Sequence, residues 1–428
     1  TISGNGFGAN ETIRISYGNT TTIGSTICDA NGSWTTTFVM DTQVFGTKSV
    51  IAIGLDSSRS NSRLLKLVAR MHLVSPSTGT VGTKITVYGD GYNGLETILF
   101  NFKGVSVTAD SAPIITNANG SYTARFNVTT QPAGTTTVSA SGTGMNNSYQ
   151  TCENTFWITS KITGVSPTSG PVSTKVTVTG EGYSGLENVR LAFGINQTIT
   201  NVTASGYGTF STVWTVDTQA IGTTTITAIG NITSDDDIFV IKTGIASITP
   251  SSGTAGRLVT ITGGGYKANE TVNIGFGQNT SINTCIADGN GWIIGTFTVD
   301  EQSYGSKEVK ATGVESASYG VISFTIIQHL VSVIPTEGTV GRVITVYGNG
   351  YTPGLMTLHF GETTNIIQGT ANNNGTFSIP FTVNTQPYGT TAVIAADSVG
   401  QSDSAMVVIK SHITLVTPII GSVGTRVT

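Results

Sequence analysis

Gly89, Gly91 and Gly94 stand in "GDGYNG", directly after the apolar run "KITVY". This is the spacing with which dinucleotide-binding loops bring backbone N–H groups to a pyrophosphate. That chemistry requires a helix after the glycines, because the helix N-terminus holds the phosphates. The next residues are instead "LETILFNF", alternating at period two as a strand does. The stretch also recurs, as "GNGFGA" from Gly4, "GEGYSG" from Gly180, "GGGYKA" from Gly263 and "GNGYTP" from Gly348. Its aromatic residues Phe7, Tyr92, Tyr183, Tyr266 and Tyr351 lie 85, 91, 83 and 85 residues apart. The glycines thus belong to an internal repeat. They read as a tight strand-to-strand corner with positive φ. The five rings are expected to pack that corner against its own repeat or the neighbouring one.

Other reactive side chains are few and set apart. His329 and His412 stand six residues before a proline, where other copies carry Lys161 and Arg70. A metal-binding or catalytic His would not alternate with cations, so a polar contact at the junction is expected. Glu11, Glu96, Glu187 and Glu270 form a column seven residues after the corner's first glycine, with Leu355 at that count in the last copy. One carboxylate per copy makes no acid–base pair; capping a strand or touching a neighbour fits better. "DANG" at Asp29 and "ADGNG" at Asp288 share the start of a calcium loop but lack its closing Glu, and they read as hairpin turns. Asp235, Asp236 and Asp237 read as a solvated loop tip. Cys28, Cys152 and Cys285 fall in separate copies, so no disulfide forms within one, and they read as small buried apolar residues. No catalytic residue, metal or cofactor is expected.

Asparagine offers a different chemistry. Twelve Asn-x-Ser/Thr sequons occur, at Asn10, Asn19, Asn31, Asn119, Asn127, Asn146, Asn196, Asn201, Asn231, Asn269, Asn279 and Asn374. Only 10% of the chain is charged, against roughly 25% in ordinary soluble domains. Such a surface is expected to be covered by N-linked glycans or by neighbouring subunits. The net charge of −4 and the absence of a basic cluster argue against a nucleic-acid partner. No apolar run approaches the eighteen residues of a membrane span.

The elements that carry these residues recur in step. Pro76, Pro167, Pro250, Pro335 and Pro418 are each followed three residues later by glycine. Gln43, Gln131, Gln219, Gln302 and Gln386 each precede a glycine by three. In the repeat from Ile334, strands are expected at "RVITVYG", "LMTLHFG", "NIIQGTA", "TFSIPFTV", "TTAVIAAD" and "AMVVIKS", after a short first strand at the junction. The expected core is Val346, Leu358, Phe360, Phe377, Phe381, Val383 and Val393. Asn-Gly turns such as Asn31–Gly32 suggest type I′ hairpins with two positive φ values. No segment has helical periodicity.

"SPTSGPVSTKVTVTGEGYSGLENVRLAFG", from Ser166 to Gly194, resembles the opening of immunoglobulin-like IPT/TIG repeats. The later pattern "DANGSW…FVMDTQVFGTKSVIAIG" is similar to Ig-like repeats of bacterial and archaeal surface proteins. The resemblance implies an all-β chain, a tandem array of Ig-like β-sandwich domains in a stiff rod, and a role in rods, stalks, adhesins or surface layers. The divisions are 1–74 (lacking its first strand), 75–165, 166–248, 249–333, 334–416, and 417–428 as the opening of a sixth repeat. Junctions such as "FWITSKITGVSP" leave no flexible linker. The function expected is a structural subunit or segment of an extracellular filament or surface layer. The alternative is the stalk of a cell-surface adhesin or carbohydrate-binding protein. The expected partners are copies of the chain itself, with N-linked glycans on its surface. Pro418, Ile419, Ile420, Val423 and Val427 are expected to complete the sandwich that holds Thr1 and Ile2 of the next unit, either within one longer polypeptide or by strand exchange between subunits.

Overall fold

The computed structural model describes residues 1–144 and 151–428, and the described residues contain strands and turns but no helix. Contacts group them into two compact units. One comprises Thr1–Ser166, Thr177–Trp214 and Thr225–Ile238; the other comprises Pro167–Val176, Thr215–Thr224 and Phe239–Thr428. The division runs through the third repeat.

In the second unit, the fifth repeat shows the plan. A three-stranded antiparallel sheet runs in the order His329–Ile334, Val343–Asn349, Phe377–Thr382. A five-stranded sheet runs Glu337–Gly338, Ser402–Ile409, Gly389–Asp397, Gly354–Phe360, Thr363–Ala371. Val, Ile, Thr and aromatic residues alternate along these strands, so one face of each sheet is apolar and the two faces bury one another. The opening segment splits between the sheets, and its second half pairs in parallel with the last strand, Glu337 opposite Val408 and Gly338 opposite Ile409. The remaining pairs are antiparallel. This is an immunoglobulin-like sandwich. All six expected strands form, and all seven expected core residues are buried. The fourth repeat repeats both sheet orders.

In the first unit, the second repeat has the same plan. Its edge strand is split into Val105–Val107 and Ile114–Ile115, both pairing with Thr97–Phe102, and the extra residues lie between the two halves. The first repeat has a four-stranded sheet, Thr20–Ile27, Thr12–Tyr17, Gly46–Gly54, Ser60–Leu67, and a two-stranded one, Ile2–Gly4 with Trp34–Thr36.

The strands before the junction prolines, Arg70–Ser75, Lys161–Ser166, Gly244–Thr249 and His329–Ile334, pair with the strands after them. Each sandwich therefore begins several residues upstream of positions 75, 166, 249 and 334, because its first strand precedes the proline. The hairpin turns also differ from expectation. Gly32 has φ 69° and Gly291 has φ 74°, but Asn31 and Asn290 are not left-handed. The Asp29 carboxylate accepts the N–H groups of Asn31 (2.9 Å) and Ser33 (2.8 Å). Asp288 does the same for Asn290 (2.8 Å) and Trp292 (2.9 Å). An aspartate-capped turn with one left-handed glycine replaces type I′.

Candidate functional site

The recurring corner and the recurring glutamine loop meet where one repeat follows another. At the corner only the middle glycine is left-handed: Gly6, Gly91, Gly182, Gly265 and Gly350 have φ between 71° and 78°, while the leading glycines do not share it. The following Tyr92, Tyr183, Tyr266 and Tyr351 are fully buried, whereas Phe7 is partly exposed. The hydroxyls of Tyr92 and Tyr266 donate to the carbonyls of Ala140 and Ala311, each at 3.1 Å. Burial raises the pKa of these phenols, so they stay protonated donors.

The glutamine loop is equally fixed. Gln302 donates through Nε2 to the Phe276 carbonyl (2.9 Å) and accepts the Gln278 N–H (3.2 Å). Gln43 bonds the Tyr17 carbonyl and the Asn19 N–H in the same way. Two residues after each of the first four glutamines, a backbone N–H points into the next repeat. Phe45 donates to the Tyr92 carbonyl (2.9 Å), Ala133 to Tyr183 (2.9 Å), Ile221 to Tyr266 (3.2 Å) and Tyr304 to Tyr351 (3.2 Å). The hairpin tip closes the seam. A Cβ on Gly208, Gly291 or Gly375 would lie 3.0, 3.1 or 2.8 Å from the Cα of Pro132, Ala220 or Ser303. Only glycine fits there. One seam is built four times, from main-chain groups.

The glutamate column lies behind the corner, inside its own repeat. Glu270 is fully buried and accepts N–H groups from Lys267 (2.6 Å) on the corner and from Glu315 (3.2 Å) and Ser316 (3.0 Å) on a second loop. Glu11 likewise joins Gly8 (2.5 Å) to Ser57 (2.9 Å). A Cβ at Gly54, Gly230 or Gly313 would fall 2.4, 2.6 or 2.5 Å from the carboxylate it faces. The column clamps two loops of its own repeat. In the fifth repeat the corner is one residue shorter. Met356 pairs with Asp397 as Val272 pairs with Gly313, so Gly354, not Leu355, occupies the glutamate's place. Asp397 supplies the carboxylate from the opposite strand, accepting N–H groups from Thr352 (3.0 Å), Val399 (3.1 Å) and Gln401 (2.8 Å). Residue counting misses this exchange; strand register reveals it.

Charged groups expected elsewhere also find structural roles. Asp235, Asp236 and Asp237 lie in the strand Ser234–Ile241, not at a loop tip, and Asp235 accepts the Ile162 N–H (2.7 Å). Asp403 accepts the Leu330 N–H (2.8 Å) and lies 3.3 Å from His329 Nδ1, so that histidine bridges the first and last strands of one sandwich. His412 is exposed. Cys28, Cys152 and Cys285 are free thiols; Cys28 is buried and the others half-buried. No group of three or more His, Cys, Asp or Glu placed to hold a metal occurs among the described residues. Among the same residues, no helix is long and apolar enough to cross a membrane.

Of the sequons, Asn146 lies outside the described residues. Asn10, Asn19, Asn31, Asn119, Asn127, Asn196, Asn201, Asn231, Asn269 and Asn374 are exposed or partly so, and Asn279 is half-buried beside Asp300 (3.3 Å). Thr1 is exposed, and Ile2 packs partly against the first core. Pro418, Ile419, Ile420, Val423 and Val427 are all exposed. The Thr417 and Thr428 main chains exchange bonds of 3.0 and 2.9 Å, as Ser75 and Thr86 pair in the second repeat.

No family model matches the sequence, and no curated protein matches it. Solved structures of tandem domains are similar to it at low scores. The N-terminal eight Ig domains of Down Syndrome Cell Adhesion Molecule align over 94% of this chain and 58% of that one, at 12% identity and TM-score 0.18. A tetra-tandem repeat from the extending region of a large adhesion protein aligns over 80% and 98%, at 16% identity and TM-score 0.19. Invasin, a bacterial integrin-binding protein, aligns over 81% and 79%, at 15% identity and TM-score 0.21. The chain spans little more than half of the first. The sandwich assignment rests on strand order.

Proposed function

We propose that this chain is a structural, non-catalytic protein: five tandem Ig-like domains, forming a subunit or segment of an extracellular filament or surface layer. The supporting observation is the seam made four times from the same main-chain donor and the same corner carbonyl, with the same close glycine at three of the four. A junction held at several points resists bending, which suits a load-bearing or spacing role. The IPT/TIG and surface-protein resemblance agrees with that role. Exposed sequons fit a glycan-covered outer surface.

In this reading the partners of the chain are further copies of itself. Electron microscopy of the native material, with its mass after strong denaturation, tests it. Filaments that dissolve to a species near 44.3 kDa mean separate subunits; filaments of much larger polypeptides mean one continuous chain. Material that is monomeric and unordered in its native state overturns the reading.

A further inference from the structure

The turn between Thr12–Tyr17 and Thr20–Ile27 holds the side chain of Gln43, and three groups of complementary chemistry meet there. The Thr20 hydroxyl donates to Asp41 Oδ2. The other oxygen of that carboxylate, Oδ1, accepts a Gln43 amide N–H at 2.8 Å, and Gln43 Nε2 lies 3.5 Å from Thr20 Oγ1. Gln43 Oε1 accepts the Asn19 N–H at 3.1 Å and leaves no room for a Cβ on Gly18. Gln43 itself is buried. The other repeats build the same loop without this set. The position of Thr20 is taken by Val105, Asn196, Asn279 and Thr363. That of Asp41, two residues before the glutamine, is taken by Thr129, Asp217, Asp300 and Asn384. Only the first repeat unites hydroxyl, carboxylate and amide. In the fifth, Asn384 Nδ2 donates to Thr363 Oγ1 (2.6 Å), so that hydroxyl faces a donor and not a base. Holding the loop does not require the trio, because Gln302 makes the same main-chain bonds beside Asn279.

We propose that Thr20 and Gln43 become joined by an ester, a cross-link that the chain forms within itself. Asp41 accepts the hydroxyl proton as Thr20 Oγ1 attacks Gln43 Cδ. The negative charge of the tetrahedral intermediate falls on Oε1, which the Asn19 N–H already holds. The carboxylate then gives the proton to Nε2, the Cδ–Nε2 bond breaks, and ammonia leaves. One C–O bond replaces one C–N bond, and no oxidant or second reactant takes part. The two oxygens of Asp41 reach the attacking and the leaving atom respectively, the arrangement that a proton shuttle needs. Fixed proximity in a buried site supplies the acceleration that an amide, a poor acyl donor, requires. The ester ties the hairpin of Thr12–Tyr17 and Thr20–Ile27 to the loop from which the Phe45 N–H reaches the Tyr92 carbonyl. The loop behind the first seam is then anchored by a covalent bond.

Mass spectrometry of the full chain, produced in a host that attaches no N-linked glycans, tests the bond. Chymotryptic cuts after Tyr17, Trp34, Phe38 and Phe45 free the fragments Gly18–Trp34 and Val39–Phe45. From the folded parent they should emerge as one species, lighter than their sum by one ammonia. Hydroxylamine, which cleaves esters and spares amides, should separate them. Thr20→Asn and Asp41→Asn introduce residues that sister repeats carry at these positions, so both variants should fold, and both should yield the two fragments apart at full mass. The fragments holding Thr363 and Gln386 should also stay apart in the parent. Separate fragments at full mass from the parent overturn the cross-link. A joined species that resists hydroxylamine overturns the ester. Joining that persists in Asp41→Asn, or that also links Thr363 to Gln386, overturns the part given to Asp41.

Discussion

Asp397 and Glu270 hold equivalent loops from opposite sides, and the exchange predicts which residue carries weight. Asp397→Ala would strand N–H groups of Thr352, Val399 and Gln401 and should cost about 2 kcal/mol. Leu355→Ala, at a side chain 49% exposed, should cost under about 0.5 kcal/mol. Urea denaturation of the two variants decides between them. Glu270 is buried, which alone would raise its pKa, but hydrogen bonds from Ser316, Lys267 and Glu315 outweigh this and lower it. Its folded pKa therefore lies below the unfolded one. The stability it contributes is complete above about pH 4.3 and disappears as pH falls through the folded value. Melting temperatures measured from pH 7 to pH 3 should fall less steeply for Glu270→Gln than for the parent. Tyr183→Ala empties a fully buried ring site and should cost about 3 kcal/mol, read by the same denaturation. Counting from the corner glycine located the glutamates but placed Leu355 where Gly354 stands, because a one-residue shortening is invisible without strand register.

At the scale of the element, alternation of Val, Ile and Thr made most strands and the core legible, since period-two patterning is what burial of one sheet face requires. The turns were less legible. Asn-Gly suggests two left-handed residues, yet Asp29 and Asp288 each cap a turn with one, an effect of the residue two places earlier. Asp288→Ala removes two side-chain acceptor contacts at an exposed tip and should cost about 1 kcal/mol, measured by thermal unfolding. The seams could not be read from the sequence, because carbonyl and N–H groups exist at every residue. Only the columns of Gln and Gly hinted that something there was held in place. The triple aspartate shows the same limit: three charges in a row suggest solvent, but alternate side chains of a strand face opposite ways, and Asp235 turns toward the Ile162 N–H.

For the whole molecule, a surface with few charges and many solvent-facing sequons leads to a direct expectation. Enzymatic or chemical deglycosylation of native material should lower its mass, with Asn231 among the modified sites by peptide mapping. An unchanged mass would leave neighbouring subunits as the cover. The sandwich's strand directions also govern its response to force. In the second, fourth and fifth repeats a short opening strand lies parallel to the last strand, as Thr78 and Gly79 lie beside Trp157 and Ile158. Tension applied at the two ends of such a repeat slides these strands lengthwise, so their bonds must rupture together and not one by one. Stretched as a single molecule, a repeat that carries this parallel pair should therefore give way in one abrupt step at high force.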